Sequence, residues 1–292
     1  MTNSWRILAE GSGFRVTDFC CRAGPEDEPF EERHGCACIA LVTRGTFNYR
    51  STLGSASLAP GSILLGDGGH CFECGHEYGR GDSCIAFHFT PQTLESVVTS
   101  LPGATRLGFG RAHLPPLQSL VALSSRAEAA SLDADPAEWE EIALSLAAQV
   151  IATLRHTRPH HSAPSARDQR RVAEALRRIE SGFDAEITLQ DLAHEAQMSP
   201  FHFLRVFRDC IGMTPHQFVL RTRLQRSAVE LRSSDRPVSS IAFDMGFGDL
   251  SSFNRRFRRL MGANPTEWRA QAGRRWAEDH RGAPQAALKS LT

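Results

Sequence analysis

The segment from His156 to Arg167 divides this chain. It carries Pro159 and Pro164 and no apolar periodicity, and the hydrophobic pattern differs in kind on its two sides. Before it, short apolar runs alternate with turn residues; after it, apolar residues recur at three- and four-residue steps to about residue 272. A chain of 292 residues has room for two domains of about 100–200 residues each, so the break predicts two folded units. The expected architecture is α+β: a β-barrel or sandwich with trailing helices over 1–157, a linker at 158–167, an all-α domain over 168–272 and a flexible tail over 273–292.

Charge changes sign at the same place. Residues 1–164 hold 12 arginines against 18 acidic residues, whereas 165–275 hold 19 arginines against 13. A basic half joined to an acidic one suggests that only the C-terminal half meets a polyanion. Lys289 is the sole lysine, so the positive charge is almost all arginine, whose planar fork suits phosphates and guanine edges; a GC-rich genome gives the same bias. No run approaches the ~18 apolar residues of a membrane-spanning helix, and Met1-Thr2-Asn3-Ser4-Trp5-Arg6 lacks the apolar region of a signal peptide. A cytoplasmic protein without membrane contact is expected.

In the N-terminal half, Cys38–Val42, Thr46–Tyr49, Ser62–Leu65 and Cys84–Phe89 read as strands. In the last, Ile85, Phe87 and Phe89 alternate with Cys84, Ala86 and His88, the period of a half-buried strand. Two helical patterns follow, at about 115–130 and 137–155. In the second, Trp139, Ile142, Ala143, Leu146, Val150 and Leu154 make one stripe, which either covers the domain's own core or forms a dimer seam.

The C-terminal half contains one unit twice, at about 188–209 and 238–260. In the first, Thr188 and Asp191 begin a short helix, and Ser199-Pro200 supplies an N-cap and a first-turn proline for a second helix. Phe203, Val206 and Phe207 face its core, leaving Phe201, His202, Leu204, Arg205 and Arg208 outward. In the second unit, Gly246 and Gly248 permit the turn, Asp249 caps the next helix, and Phe253 and Phe257 anchor it. Ser251, Ser252, Asn254, Arg255 and Arg258 are left outward, and Asn and Arg are residue types that pair with adenine and guanine edges. A short helix, a tight turn and a capped helix with basic outward residues is the geometry that enters a major groove. A solvated basic face on a helical bundle explains one such unit; two, with caps and turns in order, it does not.

These units, the connecting stretch Pro215-His216-Gln217-Phe218 through Leu231, and the closing Gly262-Ala263-Asn264-Pro265-Thr266-Glu267-Trp268-Arg269 resemble the AraC/XylS family of bacterial transcription regulators. The signature Gly246-Phe247-x-Asp249-x-Ser251-x-Phe253-x-Arg255-x-Phe257 is intact. The resemblance implies two recognition helices in adjacent major grooves of promoter DNA, about 34 Å apart. By position it implies base contacts from Phe201, His202, Arg205, Ser251, Ser252, Asn254 and Arg255, with Arg208 and Arg258 on the same faces. It also implies a homodimer, RNA polymerase as a partner, and a cupin-like N-terminal domain that senses a small molecule, metal or redox state. Leu204 stands where relatives often carry a polar base-reading side chain, which implies weaker sequence readout by the first helix, with a contact such as a thymine methyl at that position.

Seven of the eight cysteines lie between Cys20 and Cys84, a clustering that in a cytosolic protein points to metal or redox chemistry. Cys71-x₂-Cys74 has the spacing of a zinc half-site. The metal reading takes Cys74, His76 and Cys84 around a Gly-bounded loop at 70–84, with Cys71 or Cys36 as fourth ligand and zinc or another thiophilic metal bound. Reactive thiols and plain packing residues are the other two readings. No HxH pair occurs, so a three-histidine dioxygenase site is absent, and there is no GxSxG, P-loop or GxGxxG motif. The expectation is therefore a regulator and not an enzyme; the alternative is cysteine-dependent alkyl transfer from damaged DNA coupled to transcription.

Overall fold

Strands whose two faces carry different apolar side chains, large on one and small on the other, organise the N-terminal half. The computed structural model describes residues 3–29, 31–77, 81–101, 108–132, 136–156 and 165–271. Strands β1 (Ser4–Gly11), β2 (Phe14–Cys21), β3 (Glu31–Arg33), β4 (Ala37–Gly45), β5 (Phe47–Ser51), β6 (Gly54–Leu58), β7 (Ile63–Gly66), β8 (Cys71–Gly75) and β9 (Asp82–Phe89) come first. Helix α1 (Pro91–Ser100), the short strand β10 (His113–Leu114) and helices α2 (Val121–Ala130) and α3 (Pro136–His156) follow. The strands pair antiparallel in two sheets, ordered β1-β2-β9-β4-β7-β10 and β3-β8-β5-β6.

The larger sheet is buried on both sides. Val16, Ile39, Leu41, Ile85, Phe87 and Phe89 pack on α1 and α3, while Cys38, Ala40, Val42, Cys84 and Ala86 pack on Phe47, Tyr49 and Leu58 of the second sheet. β9 is thus not the half-buried strand its alternation predicts: the small side chains of Cys84 and Ala86 let the second sheet approach. The α3 stripe is settled too. Trp139, Ile142, Ala143, Leu146 and Val150 are fully buried in the domain's own core, which takes them out of any dimer seam.

The C-terminal half is helical: α4 (Ala166–Gly182), α5 (Leu189–Glu195), α6 (Pro200–Ile211), α7 (Pro215–Ser233), α8 (Val238–Asp244) and α9 (Leu250–Met261), then helical residues 265–271. α7 is its spine. Phe218 and Val219 join the core of the first helix-turn-helix unit with Leu176, Ile179, Phe203 and Phe207; Leu224, Ala228 and Leu231 join that of the second with Ile241, Phe253, Phe257 and Trp268. Residues 158–164 of the expected linker and the expected tail at 273–292 lie outside the described residues. The linker ends earlier than expected, because the Ser165 hydroxyl already accepts from the Asp168 N–H and caps α4.

The two halves touch. α2 lies along α7, Val121 enters the core of the second unit, and the Gln225 amide donates to the Glu128 carboxylate. Arg232 Nη2 sits 2.6 Å from Glu138 Oε1, and Arg221 Nη1 donates to the Pro60 carbonyl at 3.2 Å. Gly61 has φ +85°, and a Cβ there would lie 1.9 Å from the Arg221 guanidinium, so glycine is what lets the arginine in. Among the described residues no helix is long and apolar enough to cross a membrane.

Candidate nucleic-acid interface and sensor cavity

Short polar side chains set the ends of the helices that would meet DNA. The Thr188 hydroxyl accepts from the Asp191 N–H at 3.1 Å while Asp191 accepts from the Thr188 N–H at 3.0 Å, a reciprocal capping box that opens α5. The Thr188 hydroxyl, which donates to the carboxylate at 2.6 Å, and then the Thr188 N–H hold the Asp191 carboxyl below the ordinary aspartate range. The Ser199 hydroxyl accepts from the His202 N–H at 3.3 Å and opens α6 at Pro200. In the second unit Asp249 accepts from the Ser252 N–H at 2.7 Å and opens α9. Gly246 takes the left-handed turn conformation there, at φ +81°, and Gly248 does not.

Phe203, Val206 and Phe207 of α6 and Phe253 and Phe257 of α9 are buried. On the opposite faces Phe201, His202, Arg205 and Arg208 of α6 and Ser251, Asn254, Arg255 and Arg258 of α9 are exposed, Phe201 by 79%. Ser252 and Leu204 are half-buried. A groove beside α9 is lined by Asn254, Arg255, Arg258 and Arg259 together with Asn264, Pro265 and Thr266. Arg259 and Thr266 thus extend the predicted set. The signal for the latter is Asn264, which forms a further capping box with Glu267 and directs the helical residues 265–271 against the groove.

One residue that the sequence pattern conceals fixes the two units to each other. Arg223 of α7 donates from Nε to the Phe183 carbonyl at 2.6 Å, from Nη1 to the Gly246 carbonyl at 2.7 Å and from Nη2 to the Ala185 carbonyl at 2.8 Å. It ties the end of α4 to the turn of the second unit. Trp268 closes the bundle by donating Nε1–H to the Ala228 carbonyl at 3.0 Å, under the Arg232 guanidinium.

Between the two sheets lies a cavity of about 380 Å³, bordered by three histidines, His34, His76 and His88, and by the thiols of Cys21, Cys38, Cys74 and Cys84. Cys74, His76 and Cys84, predicted from sequence as ligands, therefore share one space. They do not sit on one loop: Cys74 is in β8 and Cys84 in β9, on opposite sheets. The tight group is a different one. Sγ of Cys21, a ring nitrogen of His76 and a carboxylate oxygen of Asp82 lie within 4.8 Å of one another, all three residues buried. His76 Nε2 is 2.6 Å from Asp82 Oδ1, and Cys84 donates to Asp82 Oδ2 at 3.5 Å.

Neither predicted fourth ligand belongs there. In a strand, residues three apart point to opposite faces, so Cys71 points away from the face that carries Cys74 into the cavity, and the CxxC spacing chelates nothing. Cys36 lines a separate crevice with Phe14, His88 and Phe89. Cys21 and Asp82 escape sequence reading because they meet only through the β2–β9 register, 61 positions apart in the chain.

Burial disfavours charge on His76, yet its bonds to Asp82 and Cys21 outweigh that and raise it to about 9. Burial pushes the Cys38 thiol up to about 12 and raises Cys36, Cys74 and Cys84 as well. All eight cysteines are free. The raised thiols of Cys36, Cys38, Cys74 and Cys84 are the reverse of what nucleophilic attack on an alkyl phosphate needs, so these four lend the alkyl-transfer alternative no support.

Two capped helix-turn-helix units on one helical spine, with arginines on both outward faces, define a DNA-binding protein. A family model described as a helix-turn-helix domain matches residues 192–271. The transcriptional activator AarP of Providencia stuartii is 31% identical over 98 residues, 34% of this chain and 73% of AarP. The TetD protein of transposon Tn10 from Escherichia coli is also 31% identical over 98 residues, 34% of this chain and 71% of TetD. The probable transcriptional regulator LumQ of Photobacterium leiognathi is 36% identical over 90 residues, 31% of this chain but only 36% of LumQ. The chain belongs to the AraC/XylS family of DNA-binding transcription regulators.

Proposed function

We propose that this regulator is switched by a ligand held between the two sheets of its N-terminal half, and that α6 and α9 read promoter DNA in adjacent major grooves. The observation that carries the reading is the pairing of a 380 Å³ cavity, apolar for the most part and studded with histidines and thiols, with a DNA-binding half docked on the same domain. Phe201, His202 and Arg205 on α6 and Ser251, Ser252, Asn254 and Arg255 on α9 are the base-reading set, with Arg208, Arg258 and Arg259 beside them for phosphate. Ligand binding would act by stabilising one docked arrangement over another, through α2 against α7 and through Glu180 of α4, whose carboxylate accepts from the Gly45 N–H at 3.3 Å.

A homodimer is part of the reading, as is contact with RNA polymerase at a cytoplasmic promoter. With the α3 stripe buried, the surface that supports dimerisation is β1, an edge strand of the larger sheet with Trp5 and Ile7 exposed. Catalysis is not part of it. The test is selection of preferred sites from random duplex DNA, repeated with Arg255→Ala. The variant should lose about 1–3 kcal/mol on the selected site and relax preference at one base pair. Equal weakening on every sequence would remove Arg255 from the base-reading set, and the absence of any selected sequence would remove the promoter reading itself.

A further inference from the structure

We propose that Cys21, His76 and Asp82, with Cys84 as fourth donor, bind a thiophilic divalent cation of the zinc class, and that this cation is the ligand that switches the protein. The second clause rests on the effector reading above; the site itself does not.

The donor set is the first argument. Three different donor elements, one sulfur, one ring nitrogen and one carboxylate oxygen, converge within 4.8 Å in a buried corner, and a second sulfur touches the same carboxylate. Sulfur and imidazole together select zinc, cadmium and cobalt over magnesium and calcium. Tetrahedral bonds of about 2.0–2.3 Å place donor atoms roughly 3.3–3.8 Å apart. The three donors lie within 4.8 Å of one another, so closing on a cation needs shifts of about 1 Å, and the contact that must open is the 2.6 Å hydrogen bond between His76 and Asp82, whose proton the cation replaces.

Rigidity is the second. Cys21 ends β2 and Asp82 begins β9, directly paired across the sheet, and His76 follows the last residue of β8 in the other sheet. The three donors are therefore held by two sheets, so an ion bound to them joins the sheets at one corner. Backbone pairing, not loop closure, pre-forms the site.

Position is the third. Cys21 and Asp82 border the internal cavity on one side and, on the other, a cleft lined by Arg44 and, on α4, by Arg177, Glu180 and Ser181. Asp82 pairs with Gly45, the residue whose N–H donates to Glu180. A cation at Asp82 is thus one strand pairing away from the first helix of the DNA-binding half, which gives it a route to the readout.

The experiment uses the full chain, reduced and stripped of metal. Cobalt(II) is titrated in, followed by zinc, and the affinity for a selected duplex is measured with and without zinc. One cobalt per chain is expected, with sulfur-to-cobalt charge transfer in the near ultraviolet and intense visible bands, all abolished by zinc. Cys21→Ala and Asp82→Asn should weaken binding tenfold or more, and the Cys36→Ser/Cys71→Ser pair should leave it unchanged. Cys84→Ala, which removes only the donor behind Asp82, should keep the stoichiometry and lose part of the charge-transfer intensity; it serves where Cys21→Ala does not fold by circular dichroism. No cobalt binding, or binding that survives Cys21→Ala and Asp82→Asn or is lost in Cys36→Ser/Cys71→Ser, overturns the site. Zinc should shift duplex affinity by about fivefold or more. A site that binds zinc without such a shift overturns the switch alone, and a protein that binds metal but no duplex at all overturns the regulator reading instead.

Discussion

Gln197 and Gly246 occupy the same left-handed position in the turns of the two helix-turn-helix units, at φ +52° and +81°. Each N–H donates to the third carbonyl back, and the residue after each closes the turn onto Ala193 or Ala242. The two sites are not equally tolerant. A Cβ on Gly246 would lie 2.3 Å from the Asp184 carbonyl oxygen, so Gly246→Ala adds a clash to the left-handed penalty and should cost more than about 1–2 kcal/mol. Gln197→Gly removes that penalty but frees the unfolded chain, so a gain of no more than about 1 kcal/mol is expected. Urea unfolding of both variants checks the pair.

Arg223 makes a second prediction. Its three bonds reach carbonyls on α4's end and on the second turn, and only a planar fork spans them. Arg223→Lys keeps the charge but should lose roughly 1.5–3 kcal/mol, and should weaken DNA binding by misorienting α9 relative to α6. If Lys supports wild-type melting and wild-type affinity, the clamp is not what fixes the two units.

Much of the C-terminal half is legible in the sequence because its signals are local. Thr188, Ser199 and Asp249 announce helix starts, and Phe203, Phe207, Phe253 and Phe257 mark buried faces within a few residues of the caps. Arg223 is not legible, since nothing within its own helix distinguishes it from an exposed arginine. In the β half the legible strands are β4, β5, β7 and β9, which carry large apolar residues between turn residues; β1, β2, β3, β6, β8 and helix α1 carry polar residues that hide their pattern. The candidate metal corner stays hidden for a related reason: Cys21 meets Asp82 through a register that no spacing rule encodes, while the eye-catching Cys71 and Cys74 diverge across a strand.

The histidines of the β domain predict an acid limit to stability. Burial holds His34 down to about 4, with His88 and His70 acting in the same direction and Asp67 against it, and burial and Arg111 hold His113 to about 4. The neutral His34 ring stacks on Phe72 at 4.1 Å and meets the Tyr49 hydroxyl at 2.8 Å. Below pH 6.5 the unfolded chain takes up protons that the folded one refuses. Stability from these groups is therefore complete above 6.5 and falls as pH drops towards 4, by at most about 1.4 kcal/mol per unit for each. Melts of wild type and His34→Gln between pH 7.5 and 4.5 should show a shallower decline in the variant. Parallel declines would mean that His34 is not held neutral.

The docking of the two halves predicts how they unfold. Arg221 is buried against the β domain, and burial, partly offset by Glu128, lowers it to about 10. Its Nη1 bond to Pro60 and the adjoining Glu128–Gln225 contact are polar groups withdrawn from water between α7 and the sensor half. Arg221→Met leaves the Pro60 carbonyl unmatched and takes from the Glu128 carboxyl, already raised by burial, one of the cations that offset it, leaving Arg226 and Arg44. The loss falls on the interface and not on either core. Calorimetry should therefore show the single transition of a docked protein separating into two, with the C-terminal half melting independently. The same variant should bind duplex DNA in a manner less responsive to any ligand of the cavity, because the contact through which the halves bias each other is gone. A single transition at an unchanged temperature would show that Arg221 does not hold the halves together.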